Sequence, residues 1–537
     1  MMDYIIGILA FVLVLGIIIA VHEAGHFFFA RKVNILCREY AFGMGPVLLK
    51  KKKGETVYSL RAFPIGGFCA IAGEELESDP FSGRELIKLG IEDGIIKAFY
   101  LDNGQIFDFP EYRLLEYDIF DAEQTGNLYM KVEKNGETYN FPVDPQAIIH
   151  MGKQEIQIAP YNRTLGSKSK RARALVMFGG PLMNFLLALL VFLIAGLIQG
   201  FPSTSSKLSG FDSEEATPAY AAGLRNDDVI TYLKSGSIEK EVNAWSDIST
   251  FMNEYTDNGL ITPIAVTYKR GNNTNTVQVN PQVIFYNIGV FGEFTEEGIR
   301  IVYLAEVNDN MSKNSDLKAN DLIIQVGNAN YANLSDIYDE IRNYEGNYDN
   351  DALNRLDLKV KRGSEILTVK VKPYSKKIME TQTTTAGEAI GIVKVAMGIS
   401  PSYEFSLGQS LLYSLRRTGG SLTAVFETLN LLFTEESVSI AALSGPVGIF
   451  SVTKTLATQG IATLLNWMGL LSVNVGLLNL FPIPALDGGR LLFLGYEAIT
   501  KKKPNPKVET ILISVTMILL FGLMIFVTFN DVLRLFK

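Results

Sequence analysis

His22-Glu23-Ala24-Gly25-His26 sets two imidazoles four residues apart with a carboxylate beside the first. On a helix, positions 22 and 26 share one face, so both rings can reach a single metal ion. Glu23 lies about 100° further round, where its carboxylate can take a proton from an attacking water. The bland alternative is a chance match, with two histidines packed in a core. Against it, only 3 histidines occur in 537 residues, and two of them form this motif. The motif also interrupts an apolar run, where an unpartnered His or Glu is costly. Metal ligation by His22 and His26 is therefore expected, with Glu23 as catalytic base.

A tetrahedral catalytic zinc takes three protein ligands and keeps one position open. One Zn2+ per chain is expected, and its third ligand must come from elsewhere. His150 is the remaining histidine, but it falls in a polar stretch far from any apolar segment. Asp487 is the better candidate, in Asn479-Leu-Phe-Pro-Ile-Pro-Ala-Leu-Asp-Gly-Gly489 within a late hydrophobic segment. Pro482 and Pro484 cannot continue a helix, so extended backbone is expected just before the aspartate. Such backbone survives at membrane depth only when buried in protein or lining a wet cavity. A helix cap or a loop carboxylate at the membrane edge is the competing reading of Asp487.

The elements that must position these residues are apolar. Hydrophobic residues make up 47% of the chain and charged ones 20%, which suits a mixture of membrane and soluble parts. Tyr4 to Val21 is an almost unbroken apolar run that resumes at Phe27 to Ala30. It lacks the basic start of a signal peptide and is long enough to span a bilayer, so it is expected to be retained as a first transmembrane helix. Ala174 to Ile198, Leu464 to Leu494 and Ile511 to Phe529 are three further segments, the third broken by its prolines and Gly488-Gly489. Phe405 to Phe433 carries Arg416, Arg417 and Glu427 and reads as an amphipathic helix on or near the membrane surface.

Basic residues crowd the membrane ends of two loops: Arg31, Lys32, Lys168, Lys170, Arg171 and Arg173 in the first, Lys501, Lys502, Lys503 and Lys507 in the other. Between residues 201 and 404, 28 acidic residues outnumber 19 basic ones. The positive-inside rule then makes both basic loops cytoplasmic and leaves both termini and the large acidic region outside. The net charge of −8 gives no reason to expect a nucleic-acid partner. Cys37 and Cys69 are too few for a disulfide scaffold or a thiolate zinc site.

The acidic region reads as two small αβ modules in tandem. The first runs from Thr217 to Ile230, through a helix from Trp245 to Tyr255, to a strand pair around Ile264 to Val279. The second repeats that order from Asp316 to Ile324, through a helix near Leu334 to Tyr344, to strands around Leu356 to Val371. The order resembles PDZ domains, which bind extended peptides by strand addition. In the second copy Asp316 stands where the first has Gly223. Residues 77–165 read as a β-rich insert, with Lys134-Asn-Gly-Glu137 as a hairpin turn.

HExxH in the first span with NxxPxPxLDGG in a late one resembles the site-2 protease family, in its bacterial RseP and RasP type. Phe42-Gly-Met-Gly-Pro46, Tyr58 to Gly67, Gly180-Pro181-Leu-Met-Asn184 and Leu443-Ser-Gly-Pro-Val-Gly-Ile449 extend the resemblance along nearly the whole chain. The resemblance implies an intramembrane zinc endopeptidase of the bacterial cell membrane. Its substrates would be single-span membrane proteins, such as anti-sigma factors, or signal-peptide remnants. It also implies that Tyr58 to Gly67 re-enters the membrane as a β-hairpin beside the site, and that Asn474 and Asn479 position substrate. Physically, Asn side chains in a span can bond a peptide whose amides have lost water, or simply bond a neighbouring helix. Gly66 and Gly67 can bring a strand edge to that peptide, or be only a turn.

The expected fold class is an α-helical multi-pass membrane protein with four core helices, external PDZ-like αβ domains and a cytoplasmic β-rich insert. The divisions are 1–76 (first helix and hairpin), 77–165 (insert), 166–200 (second helix), 201–283 and 284–375 (PDZ-like domains), 376–460 (amphipathic helical linker), 461–499 (third segment) and 500–537 (fourth helix). Two other classes compete: a transporter whose intramembrane His, Glu and Asp line an ion path, and an inactive peptide-binding scaffold. The missing paired inverted repeats speak against the first. Intact Glu23 speaks against the second, because a scaffold has no use for a base.

Overall fold

The computed structural model describes residues 2–73, 79–101, 108–121, 124–152, 154–211, 217–305, 315–344, 355–374, 379, 392–434 and 444–535. They form two compact units, residues 1–191 with 444–537, and residues 192–443.

Helix α1 spans Met2–Lys32 and α2 spans Lys170–Gln199. With Ile461–Asn479 and Pro506–Leu533 they are the four described helices long and apolar enough to cross a membrane. At 1.5 Å per residue each 30-residue helix is ~45 Å long, enough for the hydrocarbon core and an interface. The chain is a multi-pass membrane protein with additional β-rich parts. α1 crosses α2 at glycines: a Cβ on Gly25 would lie 2.1 Å from the Gly179 carbonyl oxygen. Small residues at a crossing let helix backbones approach closely.

The third segment is two helices, broken where its prolines and Gly488-Gly489 were expected to break it. One is Ile461–Asn479 and the other Asp487–Thr500, joined by a tight turn. Pro482 and Pro484 break the helix as expected, but the backbone before Asp487 is folded rather than extended. The Ile483 N–H bonds to the Phe481 carbonyl at 2.7 Å, and the Leu486 N–H to the Ile483 carbonyl at 2.9 Å. Leu486, next to the aspartate, has extended angles (φ −110°, ψ 169°). Gly488 and Gly489 are required by this turn, since a Cβ on either would come within 2.2 Å of the Phe481 or Ile483 carbonyl oxygen.

The last helix, Pro506–Leu535, has only 6% of its most apolar window buried. It is fastened at one end by Asp531, whose Oδ2 accepts the N–H groups of Gly445 and Gly448 at 2.8 Å each. That carboxylate caps helix Pro446–Thr458 at its positive end. Near the start of α2, Arg173 pairs with Glu497 at 2.8 Å.

Strands β1 (Cys37–Lys53) and β2 (Thr56–Ile71) make more than the expected hairpin. Residues 47–53 pair with 56–61, while 39–42 lie opposite both 57–60 and 67–70. Tyr40 ties this sheet to α1 through a 2.6 Å bond to the Ala20 carbonyl. Beyond it, β3 (Leu86–Glu92), β4 (Ile95–Leu101), β5 (Glu111–Asp118), β6 (Tyr129–Lys134) and β7 (Glu137–Met151) close into a ring. β4 pairs with β3 on one side and, in parallel, with β7 on the other. Asn135 (φ 54°) and Gly136 (φ 82°) make the expected tight turn between Lys134 and Glu137.

The second unit contains the two expected αβ modules. The first has strands Val229–Ser235, Ile264–Arg270 and Asn273–Val279 with helix Trp245–Asp257. The second has Leu322–Val326, Leu356–Arg362 and Glu365–Val371 with helix Leu334–Arg342. Both carry one internal brace. Buried Asp228 receives Arg270 at 2.8 Å through two nitrogens, and Arg270 also donates to the Gly223 carbonyl. Asp321 receives Arg362 at 2.7 Å in the same way, and Arg362 donates to the Asp316 carbonyl. At this position both copies give the arginine a backbone oxygen, although Gly223 has φ +101° and Asp316 is not among the positive-φ residues. Burial pushes the Asp321 carboxyl up, but Arg362 and the Lys318 amide outweigh it and hold it below the ordinary range.

The helical linker placed at 376–460 begins differently from expectation. Val393–Ala396 is a strand paired with Gln282–Phe285 in the second sheet. Helix Leu407–Thr434 follows, and it is amphipathic in an inverted sense. Ser410, Ser414, Thr418 and Ser421 are buried, whereas Leu407, Leu411, Leu412 and Leu415 are exposed. An apolar outer face of this kind suits lipid rather than water.

Candidate metal centre

His22 and His26 stand one turn apart on α1, and Asp487 is the first residue of helix Asp487–Thr500. The two Nε2 atoms are 3.2 Å apart. Asp487 Oδ2 lies 3.2 Å from His22 Nε2 and 3.3 Å from His26 Nε2. Three atoms bonded to one tetrahedral ion at 2.0–2.1 Å would be about 3.3 Å apart, and zinc has those bond lengths. The triangle is therefore the face of a tetrahedron with room for the ion and for a fourth group. No other group of three His, Cys, Asp or Glu with this spacing occurs among the described residues.

Neighbouring groups aim the rings. His26 Nδ1 donates to the Val176 carbonyl at 2.9 Å, which leaves the lone pair on Nε2. The Asn184 side-chain amide, wholly buried, lies 3.1 Å from His22 Nδ1. With the amide oxygen turned to that ring it accepts the Nδ1 proton, and His22 Nε2 is again free to ligate. In the structure Nδ2 is the end that faces the ring, and Oδ1 is buried with no protein donor. Gly180 forms the wall behind the histidines: a Cβ there would lie 2.3 Å from His26 Nε2. Asp487 gains from its place at a helix N-terminus, where a carboxylate is favoured.

The triangle borders a cavity of about 430 Å³ that Glu23, Asn479 and residues 68–71 of β2 also line. Gly67 packs beside Glu23, and a Cβ there would sit 2.8 Å from the Ala41 carbonyl oxygen and 3.5 Å from Glu23 Cγ. Gly66, with φ +92°, makes the bend that precedes the lining strand. Among the described residues, 67–71 pair only with segment 37–42, so the strand's other edge is not used within the sheet.

The remaining residues separate. Asn479 lines the cavity, with Nδ2 donating to the Val475 carbonyl at 3.0 Å. Asn474 does not line it, and its Oδ1 is buried without a protein donor. His150 is in the β-ring, stacked on Tyr100 at 4.7 Å between ring centres, and takes no part in the triangle. Sequence reasoning missed Asn184 as the group that orients His22, and Arg38 and Arg490 as cavity walls. A polar Asn in the middle of an apolar helix was the available signal for the first. Nothing local marked the two arginines.

The profile of peptidase family M50 matches residues 10–523 of this chain. The zinc metalloprotease RasP of Oceanobacillus iheyensis is 30% identical over 531 residues, covering 98% of this chain and 99% of its own. RasP of Shouchella clausii is 30% identical over 533 residues, 99% of each chain. A putative zinc metalloprotease of Staphylococcus aureus, SA1105, is 27% identical over 540 residues, the full length of both.

Proposed function

Because this chain belongs to peptidase family M50, the site-2 proteases, and is a zinc-dependent metalloprotease of a bacterial membrane, we propose that it cuts single-span membrane proteins or signal-peptide remnants inside their apolar segments. His22, His26 and Asp487 are the proposed ligands and Glu23 the proposed base. The observation that carries this reading is the triangle of ligand atoms at 3.2–3.3 Å on the wall of a cavity that Glu23 also lines.

Zinc, when bound, polarises the scissile carbonyl and the attacking water. The Glu23 carboxylate takes a proton from that water and returns it to the amide nitrogen of the leaving chain. His26 Nδ1 donates its proton to the Val176 carbonyl, which leaves Nε2 to hold the metal. Residues 67–71 offer a strand edge to an unwound substrate, whose amides would otherwise be unpaired in the membrane. Asn479, which lines the cavity, supplies a side-chain amide beside that path; Asn474, expected to do the same, stands outside the lining. Chelation by phenanthroline should stop cleavage of a single-span substrate in detergent, and one equivalent of zinc should restore it. Mass spectrometry of the products then tests the site of the cut. Products ending only in the substrate's soluble flanks would overturn the proposal.

The basic loops support an orientation with both termini and residues 201–404 outside the cell. Cysteines introduced at Asn272 and Asn328 should then react with an impermeant thiol reagent on intact cells. Those at Asn135 and Asn505 should react only after lysis, and the reverse pattern would refute the orientation.

The repeated Asp–Arg brace supports reading the two αβ modules as copies of one PDZ-like domain, acting as a filter on substrate ends. Deleting residues 217–373 removes none of the proposed ligands. It should narrow the difference in cleavage rate between full-length substrates and those already trimmed outside. An unchanged rate ratio would favour anchoring of substrate instead.

A further inference from the structure

A second cavity of about 1060 Å³ lies between α2, helix Asp487–Thr500 and the start of the last helix. Its inner wall is apolar, with Met177 and Leu494 buried and Phe493 and Ile513 partly so. Its exposed rim is basic at Lys502 and Lys503. With Arg173 and Arg490 they line the cavity against two carboxylates, Glu497 and Glu509, an excess of two positive charges. Glu497 is already matched by Arg173 at 2.8 Å. Neither Lys502 nor Lys503 has a carboxylate within ion-pair distance among the described residues, and both are exposed. Lys501, at φ 59°, ends the helix in a left-handed turn that brings the two lysines to the mouth.

An apolar slot with unmatched ammonium groups at its rim, between helices long enough to span a membrane, has the polarity of a phospholipid. We propose that this cleft binds an anionic phospholipid, its phosphate at Lys502 and Lys503 and its acyl chain along Phe493 and Ile513. Basic pockets between membrane helices recognise headgroups by this charge arrangement. The last helix leaves the slot accessible from the bilayer, since little of its surface is covered by protein. The inference rests on the membrane placement of these helices and not on the protease reading. It has one consequence for the metal centre. Arg490 lines both cavities, and it lies three residues from Asp487 on the same helix. A lipid in the slot therefore bears on the element that carries a proposed ligand.

The test is native mass spectrometry of the purified full-length protein with added phosphatidylglycerol or phosphatidylcholine. Two unmatched lysines should favour the net-anionic lipid over the zwitterionic one, whose choline ammonium offsets its phosphate, by roughly thirty-fold. Lys502→Gln with Lys503→Gln should bring that preference toward unity, while Lys51→Gln with Lys52→Gln, in a basic strand elsewhere, should leave it. Ile513→Trp, which fills the slot, should reduce retention of phosphatidylglycerol. A preference unchanged by the Lys502/Lys503 pair would overturn the proposal, as would equal loss in the Lys51/Lys52 pair. Glycerol phosphate competing as well as the whole lipid would also overturn it, because the site would then read a soluble phosphate.

Discussion

Glu23→Gln lowers cleavage by roughly a thousand-fold or more, the scale of a lost general base, and keeps one zinc per chain. Gln is close to Glu in size, so the packing of residue 23 against Gly67 is preserved. It cannot take the proton from the attacking water. The ligand triangle is made by His22, His26 and Asp487 without Glu23, so metal affinity has no reason to change. Metal analysis beside a cleavage assay on the same preparation checks both halves. Loss of zinc from Glu23→Gln would show that Glu23 is itself a ligand, and retained activity would remove it from the mechanism.

The second large effect is at Asp487. Asp487→Ala removes the one proposed ligand that does not come from α1, leaving two imidazoles that cannot hold zinc in three-point fashion. Zinc and activity should be lost together. His22→Ala and His26→Ala should do the same. Asn184→Ala gives the graded comparison: it removes the amide beside His22 Nδ1 but no ligand. Its zinc affinity should fall by about 10- to 100-fold, the usual cost of losing an outer partner, and higher zinc should recover its activity. Stoichiometric zinc in Asp487→Ala would sink the three-ligand assignment.

Much of the metal centre was legible in local sequence because its chemistry is written in residue spacing. Two histidines at i and i+4 need only a helix to meet, and the apolar run around them ensures one. The Asn135-Gly136 turn was legible for a related reason, since both residues tolerate positive φ and little else fits there. The backbone just before Asp487 was misjudged where local rules stop. Proline predicts a break but not the path that follows. The chain turned back on itself because Gly488 and Gly489 let the Phe481 and Ile483 carbonyls pack against the new helix.

For helix Leu407–Thr434 the sequence left open which face is covered. Its periodicity gives two faces, and which one is buried depends on the neighbour that covers it.

By itself the sequence determined the kinds of group available: two imidazoles, a base, a distant aspartate, four apolar segments and a repeated αβ pattern. Tertiary structure alone decided that Asp487, 461 residues along the chain from His26, comes within 3.3 Å of it. It alone decided that Asn184 orients His22, that Gly180 leaves room for His26, and that Arg490 stands between two cavities. The physical reason is range. Helix formation, breaks and turns depend on neighbours within a few residues, whereas the ligand triangle depends on how two separate helices, α1 and Asp487–Thr500, are brought together with α2. That arrangement is set by the summed contacts of small residues such as Gly25 and Gly179, and no single stretch of the chain encodes it.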